Sequence, residues 1–441
     1  MIPKTRGGEV RAVARNKERP WYKLDNAAIL YSALQREEYS AVYRFSAVME
    51  ERVDPAALQR AVERTMPRFP GFGVRIKKGA FWYYFEPNPA PGPFVKEDIA
   101  NPCQPIRFRE DNGWLVRFYY YERRISIEVF HALSDGGGAL VFFRTLLAVY
   151  LGEMGHPIPK TPGLLDVDEP PRREELEDAY ARYATVRPRR ARLEGKAYPN
   201  TGTAEPFYTL NVTMGFVPVD ALKARAKSYG VSITEYLSAA LIRVILDNQA
   251  RENPRKPLPV ALAIPIDLRR WFPTQTLRNF ILTARPCIDP ALGEYTFGEI
   301  ASQVHHYLRL HINRQEMQAL LTGNVRFQTN PLLQMIPIWL KNPVMALSYR
   351  LAGCRPYSAT YTNPGAFWVP PEMAPHIRRM EVILGQATSP KVHCASISYG
   401  NIMCITFAGT ERETDTERDF FRFLVKEGIH VKVESNRPEA E

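Results

Sequence analysis

The chain has 441 residues, of which 45% are hydrophobic and 24% charged. This composition is typical of a globular protein and excludes wholesale disorder, and the length indicates two or three domains. Lys and Arg number 58 against 47 Asp and Glu, and the resulting charge of +11 favours acidic partners: nucleic acid, an anionic membrane surface, a phosphorylated cofactor or an acidic carrier protein.

No targeting or membrane-spanning segment is predicted. The N-terminus is basic and lacks the apolar core of a signal peptide, and no uninterrupted run of about 18 apolar residues occurs. The five cysteines are odd in number, widely spaced and without a CxxC pair, which indicates neither a disulfide framework nor a zinc site. We therefore expect a soluble, reduced, cytoplasmic protein with no transmembrane segment and no metal site.

Strand and helix signals alternate over the first third of the chain. Asp54 and Pro55 predict the start of a helix, as N-cap and first helical residue, and Leu58, Val62 and Met66 lie four apart on its apolar face. Strands are predicted at residues 40–49, 73–78, 80–85, 114–121 and 124–130, and an amphipathic helix at 139–151.

The pattern changes after residue 153, where prolines and a charged block replace periodic apolar residues as far as residue 206. We interpret 154–206 as a crossover linker between two domains, 1–153 and 207–441. The second half is predicted to contain strands at 207–217, 258–266, 279–288, 380–384, 392–399 and 402–408, and helices at 219–229, 232–249, 297–321, 331–351 and 415–427. Both halves mix strands with helices, which predicts two α/β layers of related design.

One segment carries the strongest chemical signal. Ile125 and Ile127 alternate with polar residues, and His131 continues their parity, so its imidazole should follow from the buried face of a strand. The three glycines 136–138 are predicted to turn the chain sharply into the helix and to let backbone approach a ligand. Asp135 is placed to cap that helix or lock the turn.

An imidazole at the end of a strand, shielded from water, suits general-base catalysis. The alternative is that His131 is a satisfied core histidine and Asp135 a plain helix cap, and spacing alone favours this structural interpretation. A metal-binding pair is disfavoured, because both ligands must lie on one face and the glycine-rich turn makes that geometry difficult.

The run His131-Ala-Leu-Ser-Asp135-Gly136 resembles the HxxxDG signature of the chloramphenicol acetyltransferase-like superfamily. That group includes alcohol O-acetyltransferases, polyketide-associated acyltransferases and nonribosomal peptide synthetase condensation domains. Three further stretches resemble family motifs in the same order: Arg64-Thr-Met-Pro-Arg68-Phe, then Pro265-Ile-Asp-Leu-Arg269 with Arg278-Asn279-Phe280, and then Thr362-Asn363-Pro364-Gly365. Together the matches extend over about residues 20–430.

The sequence also departs from the family pattern. Phe130 stands where condensation domains usually carry a second histidine, and Arg278 replaces the glycine expected before Asn279. The late DFGWG motif of plant-type relatives does not occur. These departures favour a stand-alone member similar to alcohol O-acetyltransferases or polyketide-associated acyltransferases, and they leave the substrate open.

The resemblance implies an α/β fold built from α+β two-layer sandwiches, with two chloramphenicol acetyltransferase-like domains arranged in a V around an active-site tunnel. It implies an acyltransferase that moves an acyl group from a thioester donor, acyl-CoA, to an alcohol or amine acceptor by direct attack. His131 is then the general base, and no acyl-enzyme is needed.

The remaining site residues are implied by position in the family motifs. Asp135 and Arg269 are structural partners that lock the turn beside the base, although Arg269 could also be ordinary surface charge. The oxyanion and substrate-binding candidates are Gly136, Gly137, Thr362 and Asn363. The segment from Thr362 onward is equally consistent with a plain β-turn.

Two other functions stay open. The first is a condensation-type enzyme whose substrates are bound to carrier proteins, and the second is a catalytically silent relative that binds lipid. No tightly bound cofactor is expected, because acyl-CoA or an acyl carrier protein thioester serves as co-substrate. Nucleic acid is not an expected partner, since no nucleic-acid-binding motif accompanies the positive charge.

Overall fold

The computed structural model describes residues 22–188, 195–199, 202–252, 255–348, 356–387 and 392–437. The helices are α1 (Asn26–Leu34), α2 (Pro55–Thr65), α3 (Gly136–Glu153), α4 (Ala179–Tyr183), α5 (Val219–Ser228), α6 (Ile233–Glu252), α7 (Phe297–His311), α8 (Arg314–Gln328), α9 (Pro331–Gln334), α10 (Ile338–Ser348) and α11 (Asp415–Lys426). The strands are β1 (Tyr22–Lys23), β2 (Val42–Met49), β3 (Val74–Lys78), β4 (Tyr83–Pro87), β5 (Val95–Glu97), β6 (Val116–Tyr121), β7 (Arg124–Phe130), β8 (Asn211–Pro218), β9 (Val260–Asp267), β10 (Ile281–Ala284), β11 (Cys287–Ile288), β12 (Ala359–Thr362), β13 (Ile377–Leu384), β14 (His393–Tyr399), β15 (Ile402–Gly409) and β16 (Lys432–Ser435). The predicted mixed α/β class is confirmed.

A five-stranded sheet, in the order β13-β2-β7-β6-β5, carries the strand that leads to His131. Phe45 of β2 and Ile127 of β7 are paired in register on one face, which packs against α3. The ring of Phe142 in α3 lies 5.9 Å from that of Phe118 in β6. The alternation of side chains along β7 therefore directs His131 toward the helix-covered face, as its parity predicted.

The opposite face of this sheet is buried as well, and it is ionic. Arg44 donates to Glu128 Oε1 and to Asp98 Oδ2, each at 2.7 Å, and Arg117 lies 2.8 Å from Glu128 Oε2. Buried charges are tolerated when each finds an opposite charge and hydrogen bonds. The network therefore allows both faces of β7 to be buried without leaving a charge unpaired.

The eight-stranded sheet has the order β10-β9-β12-β14-β15-β8-β16, with β11 also paired to β9. One strand from the second half of the chain does not belong to this sheet. That strand, β13, pairs antiparallel with β2 in the five-stranded sheet. The halves 1–153 and 207–441 are thus joined by shared strand pairing, and the domain division itself stays a prediction. The crossover is anchored by a buried ion pair, in which Arg68 donates to both carboxylate oxygens of Glu175 at 2.6 and 2.7 Å.

Two long helices predicted from the sequence are each broken. The predicted helix 297–321 is α7 followed by α8, because Asn313 caps a new helix by accepting from Glu316 N–H at 2.9 Å. The predicted helix 331–351 is α9 followed by α10, with Pro337 just before the second, and residues 349–351 lie outside the described residues. Apolar periodicity continued across both breaks and concealed them.

Two predicted strands also differ. The predicted strand 279–288 is interrupted at Pro286, which has no N–H to give to a ladder, and it forms β10 and β11. The predicted strand 207–217 begins only at Asn211, because Phe207 lies in a short 3₁₀ turn with φ of 54°. The short elements α1, β1, β5, β12 and β16 were not predicted.

Within the described ranges, no single helix is long and apolar enough to cross a membrane. Among the described helices, α5 and α6 pass that test of length and composition when taken together, and they are bent by 77° relative to each other. Much of α6 is buried in the core beside the eight-stranded sheet.

Candidate active site

The candidate site begins where β7 ends. His131 follows directly, and its backbone N–H donates to the carbonyl oxygen of Ala41 at 2.8 Å, which keeps it beside β2. Asp135 caps α3 by accepting from Gly138 N–H at 3.0 Å. The prediction that a glycine turn precedes a helix starting at 139 was wrong, because this cap lets α3 begin at Gly136.

The third glycine is required by a close approach of two segments. A Cβ at Gly138 would overlap the carbonyl oxygen of Leu277 and the hydroxyl of Ser134. The Ser134 hydroxyl donates to that same carbonyl at 2.5 Å. The chain around Leu277 can therefore pack directly on the first turn of α3, bringing the residues that follow it next to His131 and Asp135.

Asp135 and Arg269 lie in contact. Asp135 is 2% exposed and accepts from Arg269 Nη1 at 2.9 Å, from Phe280 N–H at 2.7 Å and from Gly138 N–H. The same guanidinium donates to the carbonyl oxygen of Arg278 at 2.7 Å. Burial opposes the charge on Arg269, but the neighbouring carboxylates outweigh it and raise the pKa of the guanidinium above its ordinary value. The pair thus joins the end of the His131 turn to the segment after β9.

Two tyrosines hold the imidazole of His131. The ring of Tyr31 in α1 stacks on it at 4.2 Å between centroids, and the ring of Tyr43 in β2 meets it edge-on at 4.9 Å. The Tyr43 hydroxyl donates to the carbonyl oxygens of Ser134 and Asp135 at 2.9 and 3.0 Å. The imidazole is therefore held between two rings, one of which is itself fixed to the turn.

Asn279 fixes the protonation of the imidazole. Its Nδ2 donates to the carbonyl oxygen of His131 at 2.9 Å, and its Oδ1 lies 3.2 Å from His131 Nδ1. A backbone carbonyl only accepts, so the amide must present its oxygen to the ring, and Nδ1 must carry the hydrogen. The lone pair is then on Nε2, which makes no hydrogen bond to the described part of the chain.

The electrostatics keep this histidine neutral. Burial lowers the pKa of His131 below its ordinary value of 6.5, and this effect exceeds the opposing ones of the Asp135 charge and the Asn279 hydrogen bond. At pH 7 the imidazole is therefore unprotonated at Nε2 and can accept a proton. A half-buried neutral imidazole with one fixed and one available nitrogen has the properties of a general base.

Gly136 and Gly137 occupy the first two positions of α3, where helix N–H groups lack intrahelical partners. Among the described residues, neither N–H makes a backbone or side-chain hydrogen bond. The N-terminus of this 18-residue helix also carries partial positive charge. The two amides can therefore receive an anionic oxygen.

Thr362 and Asn363 lie at the end of β12. Asn363 Nδ2 donates to Thr234 Oγ1 at 3.1 Å, and its Oδ1 accepts from Gly365 N–H at 2.9 Å. These bonds anchor a turn to the start of α6, as the β-turn interpretation expects. Over the described ranges, no hydrogen bond joins Thr362 or Asn363 to His131.

Sequence reasoning missed the residues that orient the base. Tyr31 lies on α1, whose start is marked only by Asp25 as N-cap, and nothing in the spacing connects it with His131. Asn279 was noted only as part of a motif, and its position after Arg278 in the second half of the chain gives no signal of contact. Only in the folded chain do Tyr31 and Asn279 come into contact with the imidazole of His131.

No protein-family model matches the chain, and no curated protein matches it. Solved structures are similar over nearly its whole length: polyketide synthase associated protein 5 from Mycobacterium tuberculosis (17% identity, TM-score 0.61, covering 91% of this chain and 96% of that one), the TRI3 trichothecene 15-O-acetyltransferase from Fusarium sporotrichioides (10%, 0.59, 92% and 94%), and the starter condensation domain of rhizomide synthetase RzmA in complex with C8-CoA and Leu-SNAC (13%, 0.54, 92% and 93%). The chain therefore shares the fold of these structures, as the HxxxDG resemblance predicted, whereas the V-shaped arrangement of two domains stays a prediction.

Proposed function

We propose that the protein is an acyltransferase that moves an acyl group from a thioester donor to an alcohol or amine, with His131 as the general base. The observation that carries this proposal is the fixed tautomer of a neutral imidazole, whose Nε2 is left available to accept a proton. The fold is compatible with this chemistry, because an acetyltransferase and condensation domains share it.

In the proposed reaction, Nε2 of His131 takes the proton of the acceptor hydroxyl or amine as that group attacks the thioester carbonyl carbon. A new C–O or C–N bond forms, and the carbonyl oxygen becomes an oxyanion. When the oxyanion collapses, the C–S bond breaks and the leaving thiolate takes the proton back from the imidazolium. A positioned base of this kind commonly contributes about 10²–10⁴-fold in rate.

The neighbouring residues have supporting roles. The free N–H groups of Gly136 and Gly137 are our candidates for the oxyanion, since developing negative charge is stabilised by donors that already point at it. Asp135 and Arg269 hold the turn and do not exchange protons with substrate. We do not assign the oxyanion to Asn363, because its side chain anchors a turn, donating to Thr234 and accepting from Gly365 N–H.

We propose acyl-CoA as the donor. The chain has a surplus of 11 positive charges, which favours a phosphorylated handle. A solved relative of the same fold is a complex with C8-CoA. The acyl chain should bind apolar surface, and each methylene buried should add up to about 0.8 kcal/mol.

The test is release of free thiol from acetyl-, butyryl-, octanoyl- and palmitoyl-CoA, measured at two ionic strengths with a panel of alcohols and amines. We expect KM to fall with chain length until the binding site is full, and to rise with salt because the CoA phosphates bind through charge. Mass spectrometry of extracts with and without the gene should identify the acylated product that is lost. No turnover of any thioester by the folded protein would exclude the proposal in favour of a silent lipid-binding relative.

A condensation-type enzyme is the second candidate, favoured by the similarity to the rhizomide synthetase starter condensation domain. It differs from the first in its donor, which would be attached to a carrier protein. Turnover with acyl carrier protein but with none of the CoA thioesters would assign the chain to this class. Phe130 before the base distinguishes it from the usual condensation motif.

A further inference from the structure

A large apolar surface lies apart from the candidate site, and we call it the apolar platform. It is formed by the tip of the β3–β4 hairpin, the end of α8, and α9 with α10. Trp339 is 72% exposed and Trp82 is 54% exposed. The exposed apolar side chains that define the platform are Phe81, Trp82, Phe327, Leu332, Met335, Trp339, Leu340, Val344 and Leu347. Monomeric proteins seldom expose so many large apolar side chains together without a partner that covers them.

Hydrogen bonds join the two parts of the platform. The N–H of Ile338, at the start of α10, donates to the carbonyl oxygen of Ala80 at 2.9 Å, and Lys341 Nζ donates to that of Phe81 at 3.0 Å. Asn342 also donates to the hydroxyl of Tyr83. The hairpin tip and α10 therefore present their exposed aromatic side chains as one surface.

The sequence segment that contains most of the platform carries charge of a single sign. Residues 317–371 contain no Asp or Glu, and their Lys and Arg residues are Arg326, Lys341, Arg350 and Arg355. Lys78, the last residue of β3 before the hairpin tip, is also exposed. A partner of this surface must therefore accept large apolar side chains and carry negative charge.

We propose that the apolar platform binds the surface of a membrane that contains anionic phospholipid. Tryptophan is favoured at the interface between headgroups and acyl chains, and exposed leucine, methionine and phenylalanine side chains insert just below it. The exposed side chains of Lys78 and Arg326 supply positive charge for lipid phosphates. The absence of acidic residues from the platform segment fits this partner better than a second copy of the same basic surface, which would repel it.

The platform is connected to the candidate site by one helix. α10 packs against α1, and Tyr31 of α1 stacks on His131. A bilayer bound at the platform therefore lies on the side of the molecule where α1 leads to the base. Membrane binding does not depend on acyl transfer, so the two proposals can fail separately.

The experiment is flotation of the full chain with vesicles of phosphatidylcholine alone and with vesicles of phosphatidylcholine mixed with phosphatidylglycerol. The test variant is Trp82→Ser combined with Trp339→Ser, and the matched control is Leu292→Ser. Leu292 is 80% exposed on a short 3₁₀ helix after β11. All three side chains are exposed, so thermal unfolding should be unchanged in both variants.

We expect the wild-type chain and the Leu292→Ser control to float with the anionic vesicles, and the double variant to lose binding by about tenfold or more, because two interfacial anchors are removed. Binding should be weaker to phosphatidylcholine alone. The proposal is overturned if the wild-type chain does not float with anionic vesicles, or if the double variant floats equally well. The proposal is also overturned if the wild-type chain self-associates without lipid and the double variant does not, because the partner of the platform would then be a second copy of the chain.

Discussion

Removal of the Asp135 carboxylate should destabilise the protein strongly, because it ends three hydrogen bonds at once. Loss of a helix N-cap costs about 1 kcal/mol, and removal of one member of a buried ion pair costs about 3–5 kcal/mol. The lower figure applies here, since Arg269 is 18% exposed at its side chain and keeps a second carboxylate, Asp267, at 3.0 Å. We therefore expect Asp135→Ala to lower the free energy of unfolding by about 4 kcal/mol.

The double-mutant cycle with Arg269 isolates the pair. Arg269→Ala should cost less than Asp135→Ala, because Asp135 then keeps the N–H donors of Gly138 and Phe280. Directly contacting charges commonly couple by about 0.5–3 kcal/mol, so the loss in the double variant should fall short of the sum of the single losses by more than about 0.5 kcal/mol. Asp135→Asn is the matched control, since the asparagine oxygen can keep the Gly138 cap while its NH2 group cannot accept from Arg269 or from Phe280 N–H.

The assay is urea unfolding of five proteins, the four of the cycle and Asp135→Asn, followed by tryptophan fluorescence and by circular dichroism. Losses that add within about 0.5 kcal/mol would refute the reasoning, because they would mean that the two residues do not interact energetically. A loss in Asp135→Asn equal to that in Asp135→Ala would assign the whole effect to the contacts with Arg269 and Phe280, and none to the cap.

Three further predictions concern single side chains. Asn279→Ala should lower turnover. It should also move the fall of turnover at acidic pH to a lower pH, because the lost hydrogen bond raises the pKa of His131 in the wild type. A fall of turnover at the same pH as in the wild type would contradict this prediction. Gly138→Ala should destabilise the protein by about 1–3 kcal/mol, because the new Cβ overlaps the carbonyl oxygen of Leu277. Gly152→Ala in the same helix has no atom within 4 Å of its Cβ position and should stabilise the protein by about 0.5–1 kcal/mol. Equal effects of the two variants in urea unfolding would contradict the close packing of Leu277 on Gly138. Burial lowers the pKa of His393 from 6.5 to about 4, so the unfolded chain takes up a proton on this imidazole at a higher pH than the folded chain does. Up to about 3 kcal/mol of the free energy of unfolding should therefore be lost as pH falls from 6.5 to 4. The variant His393→Gln should lose less stability over this pH range, and the same pH dependence of unfolding as the wild type would contradict the prediction.

Local signals in the sequence predicted much of the fold. The N-cap Asp54 and the alternation along β7 act through neighbours in the chain, and the structure has the corresponding elements. The breaks near Asn313 and Pro337 were missed, because apolar periodicity continues across them and only cap geometry ends the helices.

The candidate site was predictable only where a family motif marks it. His131, Asp135 and Arg269 stand in such motifs, and the last two meet in the fold. Tyr31 and Asn279, which orient the base, come from distant segments and depend on packing that no local pattern encodes. The pairing of β13 with β2 is likewise a long-range contact, and it could not be foreseen from similar halves.

Acyl transfer by purified wild-type protein and by His131→Ala tests the central claim most directly, with the donor and acceptor that give the highest wild-type turnover. The account predicts that His131→Ala keeps the wild-type unfolding curve and loses about 10²-fold or more in rate, because the Nε2 base is removed. Near-normal turnover by a folded His131→Ala protein would contradict the account.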